Sequence, residues 1–239
     1  MRYLDLTLPT VAENLALDSA LLDEAEAAEH ALETLRIWES PETAVVVGRS
    51  SRPEVEVDLA ACRREGVAVL RRDSGGAAVV IGPGCLMYAL VLSQHRTPGL
   101  RRIDAIHGSV LGQLGRALKP LVPGVTPRGT SDLAVGGRKV SGNSVRIKRQ
   151  HFLYHGTLLY DFPLERIGRL LRRPPRMPEY RAGRPHEQFV TNLPVAAGAL
   201  IEALRVGWQA DRVDGDWPRQ GVERLVAEQY ERGDRCICG

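Results

Sequence analysis

The stretch from Thr130 to Asp161, TSDLAVGGRKVSGNSVRIKRQHFLYHGTLLYD, constrains the fold of this chain more than any other. Asp132 opens a short apolar run that meets Gly136 and Gly137, and strand-like residues resume at once. Paired glycines between two such runs predict a tight hairpin, because both turn residues can take positive φ without a Cβ clash. Two residues past the turn stands Lys139, followed by the small residues Ser141, Gly142, Asn143 and Ser144. The two-residue period of a strand sends Lys139, Ser141 and Asn143 to one face. A cation beside hydroxyl and amide groups, with glycine permitting close approach, suits an anionic ligand such as a phosphate or carboxylate. After a basic turn (Arg146, Lys148, Arg149) the chain returns as HFLYHGTLLY, which sets His155, Gly156 and Thr157 in a second hairpin. Taken singly, Lys139 reads as a surface strand lysine and His155 as a satisfied core histidine.

A second informative stretch runs from Val67 to Leu92, VAVLRRDSGGAAVVIGPGCLMYALVL. A strand ends in Arg71 and Arg72, Ser74-Gly75-Gly76 follows, and two further apolar strands come after. Paired glycines bring backbone amides close to a ligand, and neighbouring arginines bind phosphate or carboxylate. By itself Ser-Gly-Gly is first of all a tight turn. The Gly-Lys-Ser/Thr ending of a P-loop is absent.

Around these stretches the chain alternates strands and helices. Met1 to Leu6 reads as a strand. Val11 to Glu29 reads as an amphipathic helix with Val11, Leu15, Leu22 and Ala25 on one stripe. LRIWES and TAVVVG are strand-like and divided by Pro41, and Gly48-Arg49 follows them. Asp58 caps a helix to Glu65, and Leu100 to Leu118 forms another, ended by Pro120. Pro163 starts the helix LERIGRLL. The segment RRPPRMPEYRAGRPHEQFVT, residues 172–191, holds four prolines and five arginines and predicts an irregular surface segment. It serves either as a solvated loop or as a basic edge for an acidic partner. Pro194 to Ala210 and Gly221 to Tyr230 read as closing helices. Consecutive hairpin-linked strands with helices outside predict an α+β fold on a mixed, largely antiparallel sheet, with residues 1–239 as one domain.

Composition narrows the function. No run of eighteen apolar residues occurs, and Met1 to Leu8 lacks the order of a signal peptide. Four cysteines without framework spacing fit a reducing cytoplasm, and Cys236-x-Cys238 lacks the second pair of a zinc site. A net charge of +3 with few interleaved aromatics argues against nucleic acid.

Taken together, these motifs resemble the lipoate–protein ligases, which share a fold with biotin–protein ligases and octanoyltransferases. GRKVSGNSVR followed by HGTLL is similar to that family's catalytic hairpin, and Arg71 to Val79 resembles its RRxSGGxAV motif. Trp38, Pro41, Gly48 and Arg49 match the order of its acyl-binding wall, and NLALDSALL is similar to its first helix. The resemblance implies that ATP activates lipoate, or a related medium-chain acid, to an acyl-adenylate. A lysine of a lipoyl carrier domain then takes the acyl group. Such carriers are 2-oxoacid dehydrogenase E2 subunits or a glycine cleavage H protein.

Carried over residue by residue, Lys139 is the catalytic residue. Arg71, Arg72, Ser74, Gly75, Gly76, Ala77, Ala78, Val79, Val80 and Ile81 hold the nucleotide and acyl-adenylate, together with Asp132, Lys139, Ser141 and Gly142. Trp38, Gly48, Arg49, His155 and Gly156 form the acyl site, with Val45 to Val47 along the acyl tunnel. Asp132 is implied to orient Mg²⁺ or the adenosine.

The chain departs from the family pattern at Ala77, where a third glycine is usual, at Ile81-Gly82, where His-Asp is usual, and at Cys85, an Asn position. Many family members carry a small C-terminal domain. Only ERGDRCICG follows Tyr230, too few residues for a separate core, so the chain either works alone or borrows that domain from a separate accessory protein. The expectation is a chain that binds ATP and lipoate alone but transfers slowly without the helper. An octanoyltransferase needs a cysteine thioester beside the lysine, and no cysteine lies between Arg128 and Asp161. The GRGRxGR-type loop of biotin ligases is absent. A non-catalytic carrier-binding homologue is the remaining rival.

Overall fold

The computed structural model describes residues 1–96, 100, 102–213 and 215–238. In chain order the elements are β1 (Arg2–Asp5), α1 (Val11–Ala27), β2 (Thr34–Glu39), β3 (Ala44–Val47), α2 (Pro53–Glu56), α3 (Leu59–Arg64), β4 (Ala68–Arg71), β5 (Val79–Ile81) and β6 (Cys85–Ser93). There follow α4 (Ile103–Leu118), β7 (Thr126–Arg128), β8 (Asp132–Val135), β9 (Arg138–Ile147), β10 (His151–Leu159) and α5 (Glu165–Leu170). After a 3-10 turn (Glu179–Arg181) come α6 (His186–Phe189), α7 (Ala197–Trp208), β11 (Arg212–Val213), α8 (Arg219–Leu225) with a wider turn over Val226–Glu231, and β12 (Cys236–Cys238). Residue 101, inside the helix expected from Leu100, lies outside the described residues.

The expected strands fall into two sheets rather than one. The larger has eight strands in the order β11-β1-β2-β6-β10-β9-β8-β7, the smaller four in the order β12-β4-β3-β5. Pairing is parallel at β1–β2, β1–β11 and β3–β4 and antiparallel elsewhere. Alternation along β6 and β10 splits the core in two. Leu86, Tyr88 and Leu90 pack with Phe152, Tyr154 and Leu158 under α4 and α7. Met87, Ala89, Val91, Leu153 and Leu159 face α1 and the small sheet. Strands covered on both faces read as continuous apolar runs, as CLMYALVL does.

The glycine hairpin forms as expected. Val135 pairs with Arg138, and Gly136 and Gly137 take φ of 56° and 74° between them. Helix α1 departs from expectation. It begins with a capping box at Thr10 and Glu13, but its burial runs nearly all round and includes Asn14, Asp18 and Ser19. It packs against β2, β6 and β10 on one side and α8 on another, an inner layer rather than an outer cover. Polar residues survive in such a position only if they are paired, and these are: Asn14 and Asp18 both meet the buried Arg36 guanidinium.

Candidate active site

A cavity of about 780 Å³ opens between the glycine-rich segment after β4, the β9–β10 strands and residues 172–190. Its glycine-rich wall depends on Gly48. A Cβ there would overlap the carbonyl oxygen of Gly76, so only glycine lets the two segments touch. Arg72 shapes the same wall from beneath. Its Nε donates to Ser74 Oγ (3.1 Å), Nη1 to the Val46 carbonyl (3.1 Å), and Nη2 to the carbonyls of Gly75 (2.5 Å) and Ala77 (3.0 Å). Burial pulls its pKa down to about 10, and Glu56 acts in the opposite sense. Arg71 donates through Nη1 to the carbonyls of Gly48, Arg49 and Ser51. Arg72 thus braces the glycine-rich loop and also lines the cavity, while Arg71 braces the neighbouring turn at residues 48–51 and does not line it.

The loop's own amides are the free donors. The Ala78 N–H donates to Glu56 Oε2 (2.7 Å), while those of Gly75, Gly76 and Ala77 have no acceptor among the described residues. Gly76 takes φ of 89°, and Ala77 does not have a positive φ, so alanine at the third position carries no backbone strain.

Across the cavity, Lys139 Nζ lies 2.7 Å from Asp132 Oδ1. A Cβ on Gly142 would sit 2.8 Å from that ammonium, so the glycine makes room for the lysine to lie along its strand. Asn143 donates to the Ser131 carbonyl (2.8 Å) and Ser141 Oγ (3.1 Å), and its Oδ1 accepts from the Tyr88 hydroxyl. A Cβ on Gly156 would overlap that same Asn143 oxygen. Lys139, Ser141 and Asn143 all line the cavity, but so do Gly142 and Ser144, and a bulge in the β8–β9 pairing between Lys139 and Ser141 interrupts the expected alternation.

His155 also lines it, but both ring nitrogens are engaged: Nε2 is 2.6 Å from Ser74 Oγ, and Nδ1 is 3.4 Å from Asp18 Oδ2. Apolar lining comes from Leu15, Val46, Met87, Leu159, Ile167 and Phe189. One space therefore offers a cation and free amides together with an aliphatic surface, the requirements of an acid with an apolar tail.

Several expected residues lie elsewhere. Trp38 is sealed in the core at 1% exposure. Arg49 is exposed and, like Gly48, borders the glycine loop without lining the cavity. Of Val45 to Val47 only Val46 reaches the cavity, and Ile81 is core. Cys85 is buried, does not line the cavity, and has its thiol pushed far above the usual range by burial.

The segment over residues 172–190, read from the sequence as surface, instead forms a strap across the cavity. Pro174, Pro175, Met177, Pro178, Arg181 and Phe189 line it. Tyr180 donates its hydroxyl to Asp132 Oδ2 (2.8 Å), and the Arg181 guanidinium stacks 4.8 Å from the Phe189 ring centroid. Beyond the strap, the Thr191 N–H donates to the Lys139 carbonyl (2.9 Å). Its regular elements are too short for a periodic signal. Its two aromatic residues, Tyr180 and Phe189, are the sequence signal that could have shown the inward packing. Arg172, Arg173 and Arg176 keep the exposed basic character expected of it.

No group of three or more potential metal ligands occurs among the described residues. Asp132 is a single carboxylate with one oxygen on Lys139 and the other on Tyr180, which does not make a site for a resident metal.

Residues 10–206 match the Lipoyl protein ligase A/B catalytic domain, and the chain belongs to that family. A putative lipoate-protein ligase A of Aeropyrum pernix is 35% identical over 159 residues, covering 66% of this chain and 57% of the relative. The octanoyltransferase LipM of Carboxydothermus hydrogenoformans is 29% identical over 195 residues, covering 72% and 69% respectively. The matched stretches span only 41–57% of three lipoate-protein ligase A relatives. Among solved structures, a lipoate-protein ligase A bound with ATP superposes with a TM-score of 0.79 at 22% identity over 97% of this chain and 94% of that one. The bi-partite lipoate protein ligase of Thermoplasma acidophilum, described with its E2 lipoyl domain, gives 0.77 at 22% identity over 97% and 92%. These likenesses establish the fold as that of the lipoate ligases.

Proposed function

We propose that the protein is an ATP-dependent lipoate–protein ligase. The observation that carries this reading is the placement of Lys139, on the Gly136-Gly137 hairpin, in one cavity with the free amides of Gly76 and Ala77. The family membership and the ATP-bound structural neighbour support it.

In the first half-reaction a carboxylate oxygen of the acid bonds to the α-phosphorus of ATP as the bond to the β-phosphate oxygen breaks. Pyrophosphate leaves, and Mg²⁺ travels with the nucleotide as part of the substrate. Charge builds on the α-phosphate oxygens in the transition state, where Lys139 and loop amides stabilise it. Asp132 and Gly142 hold the lysine along its strand. In the second half-reaction a carrier lysine attacks the acyl carbon, AMP departs, and the amine loses a proton. A free lysine of pKa about 10.4 is less than about 0.1% neutral at pH 7, so the mixed anhydride must be strongly activated.

The carrier is a lipoyl domain, such as those the Thermoplasma ligase is described with. The same neighbour is bi-partite, which supports our reading that transfer by this chain gains from a separate accessory polypeptide. Its setting is the cytoplasm, where ATP and carriers meet; no helix among the described residues is long and apolar enough to cross a membrane.

The octanoyltransferase relative favours a second reading, acyl transfer without ATP. That route needs a cysteine at the site. None of Cys62, Cys85, Cys236 and Cys238 lines the cavity, so the ligase reading stands ahead. Lipoate-dependent exchange of labelled pyrophosphate into ATP tests it. Exchange above background is expected, and none at saturating lipoate and MgATP would refute it.

A further inference from the structure

Two consecutive residues of α1 hold two consecutive residues of the glycine-rich segment. Ser19 Oγ donates to Asp73 Oδ2 at 2.8 Å. Asp18 reaches Ser74 through the His155 ring, with Oδ2 at 3.4 Å from Nδ1 and Ser74 Oγ at 2.6 Å from Nε2. Behind Asp18, the fully buried Arg36 places Nη1 2.5 Å from Oδ1. Asp18 and Ser74 are each 1% exposed, and His155 is 6% exposed.

With a neutral His155 ring the chain of bonds has one consistent proton arrangement. A carboxylate facing Nδ1 requires the N–H there, which leaves Nε2 as an acceptor for the Ser74 hydroxyl. Ser74 Oγ in turn accepts from Arg72 Nε. Its proton and a lone pair are both committed.

A serine, histidine and aspartate in this order look like a nucleophile and its base. The burial of Ser74, its absence from the cavity lining and its bond from Arg72 speak against that role. What the chain does reach is the loop. Immediately after Ser74 come the free amides of Gly75 to Ala77, and Ser144 Oγ on β9 ties the Gly75 carbonyl (2.8 Å) to the strand that carries Lys139. We propose that Asp18, His155 and Ser74 are positioning residues, a buried relay from α1 that fixes the Gly75–Ala77 amides against Lys139. The role assigned to those amides rests on the ligase reading above; the relay itself does not.

The test uses the full chain with Ser74→Ala, His155→Gln, the double variant and Ser74→Thr. Ser74→Ala removes one oxygen and leaves the His155–Asp18–Arg36 pairing intact, so it should fold. Backbone hydrogen exchange is followed at the two hydrogen-bonded amides that report on the loop, Arg49 N–H on the Ser74 carbonyl and Ala78 N–H on Glu56, and in β6 and β10. Steady-state pyrophosphate exchange is followed with ATP and lipoate, and intact mass after turnover.

Faster amide exchange confined to the loop is expected in both single variants. Each should lose about tenfold in kcat/KM, carried mainly by KM, and the double variant should lose no more than the worse single, because both cut one chain. Ser74→Thr should recover most of the loss. Unchanged loop exchange would overturn the proposal, as would multiplicative losses in the double variant. An acyl adduct on Ser74 would overturn it by making the serine a nucleophile. If the wild-type chain shows no pyrophosphate exchange, the ligase reading fails while the loop amides still decide the relay.

Discussion

The glycine-rich loop and the strap over residues 172–190 face the same cavity, and they are held in opposite ways. The loop is anchored from beneath by buried side chains of α1, β2 and β10, with Arg72 Nε and Nη2 bonded to it and Nη1 to the Val46 carbonyl of β3. Its anchors are charged or polar groups with paired partners, which in a low-dielectric interior fix geometry tightly. The strap is held by Tyr180 on Asp132, Arg181 over the buried Phe189, Arg184 on the Gly137 carbonyl, and Arg138 on the Val190 carbonyl. Ahead of these contacts in the chain Pro175, Arg176 and Met177 are exposed, and exposed stretches open at low free energy. The comparison teaches a division of labour. The loop and the Lys139 hairpin form a preorganised floor, and the strap is a cover whose fit over the ligand can change.

Changes to the floor should cost most. Lys139→Ala removes the cation facing the free amides, and pyrophosphate exchange should fall by about 10²-fold or more. Near-normal exchange in that variant would remove the lysine from the chemistry. Gly48→Ala forces a methyl group into the Gly76 carbonyl, so the loop must shift. We expect a loss of about tenfold or more, since small displacements of positioning groups are costly. A crystal structure of that variant with an unmoved loop would contradict this account of the wall.

Changes to the strap should cost less. Tyr180→Phe removes one hydrogen bond to a carboxylate, and a loss of about three- to tenfold is expected. Faster proteolysis between Arg172 and Arg184 should accompany it. Equal proteolysis of variant and wild type would show that Tyr180 does not tether the strap.

Acid should loosen the floor through Asp73. Burial pushes the Asp73 carboxyl up, but Arg235, Ser19 and Arg146 outweigh it and hold the pKa below the ordinary value. A depressed folded pKa gives stability that is present above the unfolded value, about 3.9, and lost as pH falls through the folded pKa. Asp73→Asn should therefore flatten the pH dependence of stability below about pH 4. An unchanged acid limb would assign the acid sensitivity to other carboxylates. The smallest effect is expected at Cys85→Ala, which touches a buried thiol away from the cavity. Activity should stay near wild type, and its loss would revive a thioester route.

The same contrast explains what the sequence revealed. The floor was legible where its rules are local: Gly136-Gly137 dictates a turn and Ser74-Gly75-Gly76 frees amides, whereas a bulge in the β8–β9 pairing breaks the alternation expected of Lys139, Ser141 and Asn143. The relay through Asp18 and His155 was not, because it joins residues 137 positions apart and looks like a surface helix and a core histidine when each is read alone. The division of the strands into two sheets was hidden for a related reason: β3 and β4 pair in parallel across a helical crossover, which leaves no hairpin signature. The strap escaped because proline-rich chain has no period, and its inward packing rests on isolated contacts such as Tyr180 with Asp132. Trp38 and Arg71 matched a pattern by position, yet their environments, core and loop brace, depend on tertiary neighbours.

The most direct test incubates the purified protein with a lipoyl carrier domain, MgATP and lipoate and follows the intact mass of the carrier. A parallel reaction supplies octanoyl carrier protein and no ATP. The account predicts a carrier heavier by one lipoyl group in the first reaction, on a single lysine and dependent on Lys139, with an unmodified carrier in the second. An accessory polypeptide should speed the first reaction without being needed for adenylation. Modification only in the second reaction would contradict the account and make the protein an acyl transferase.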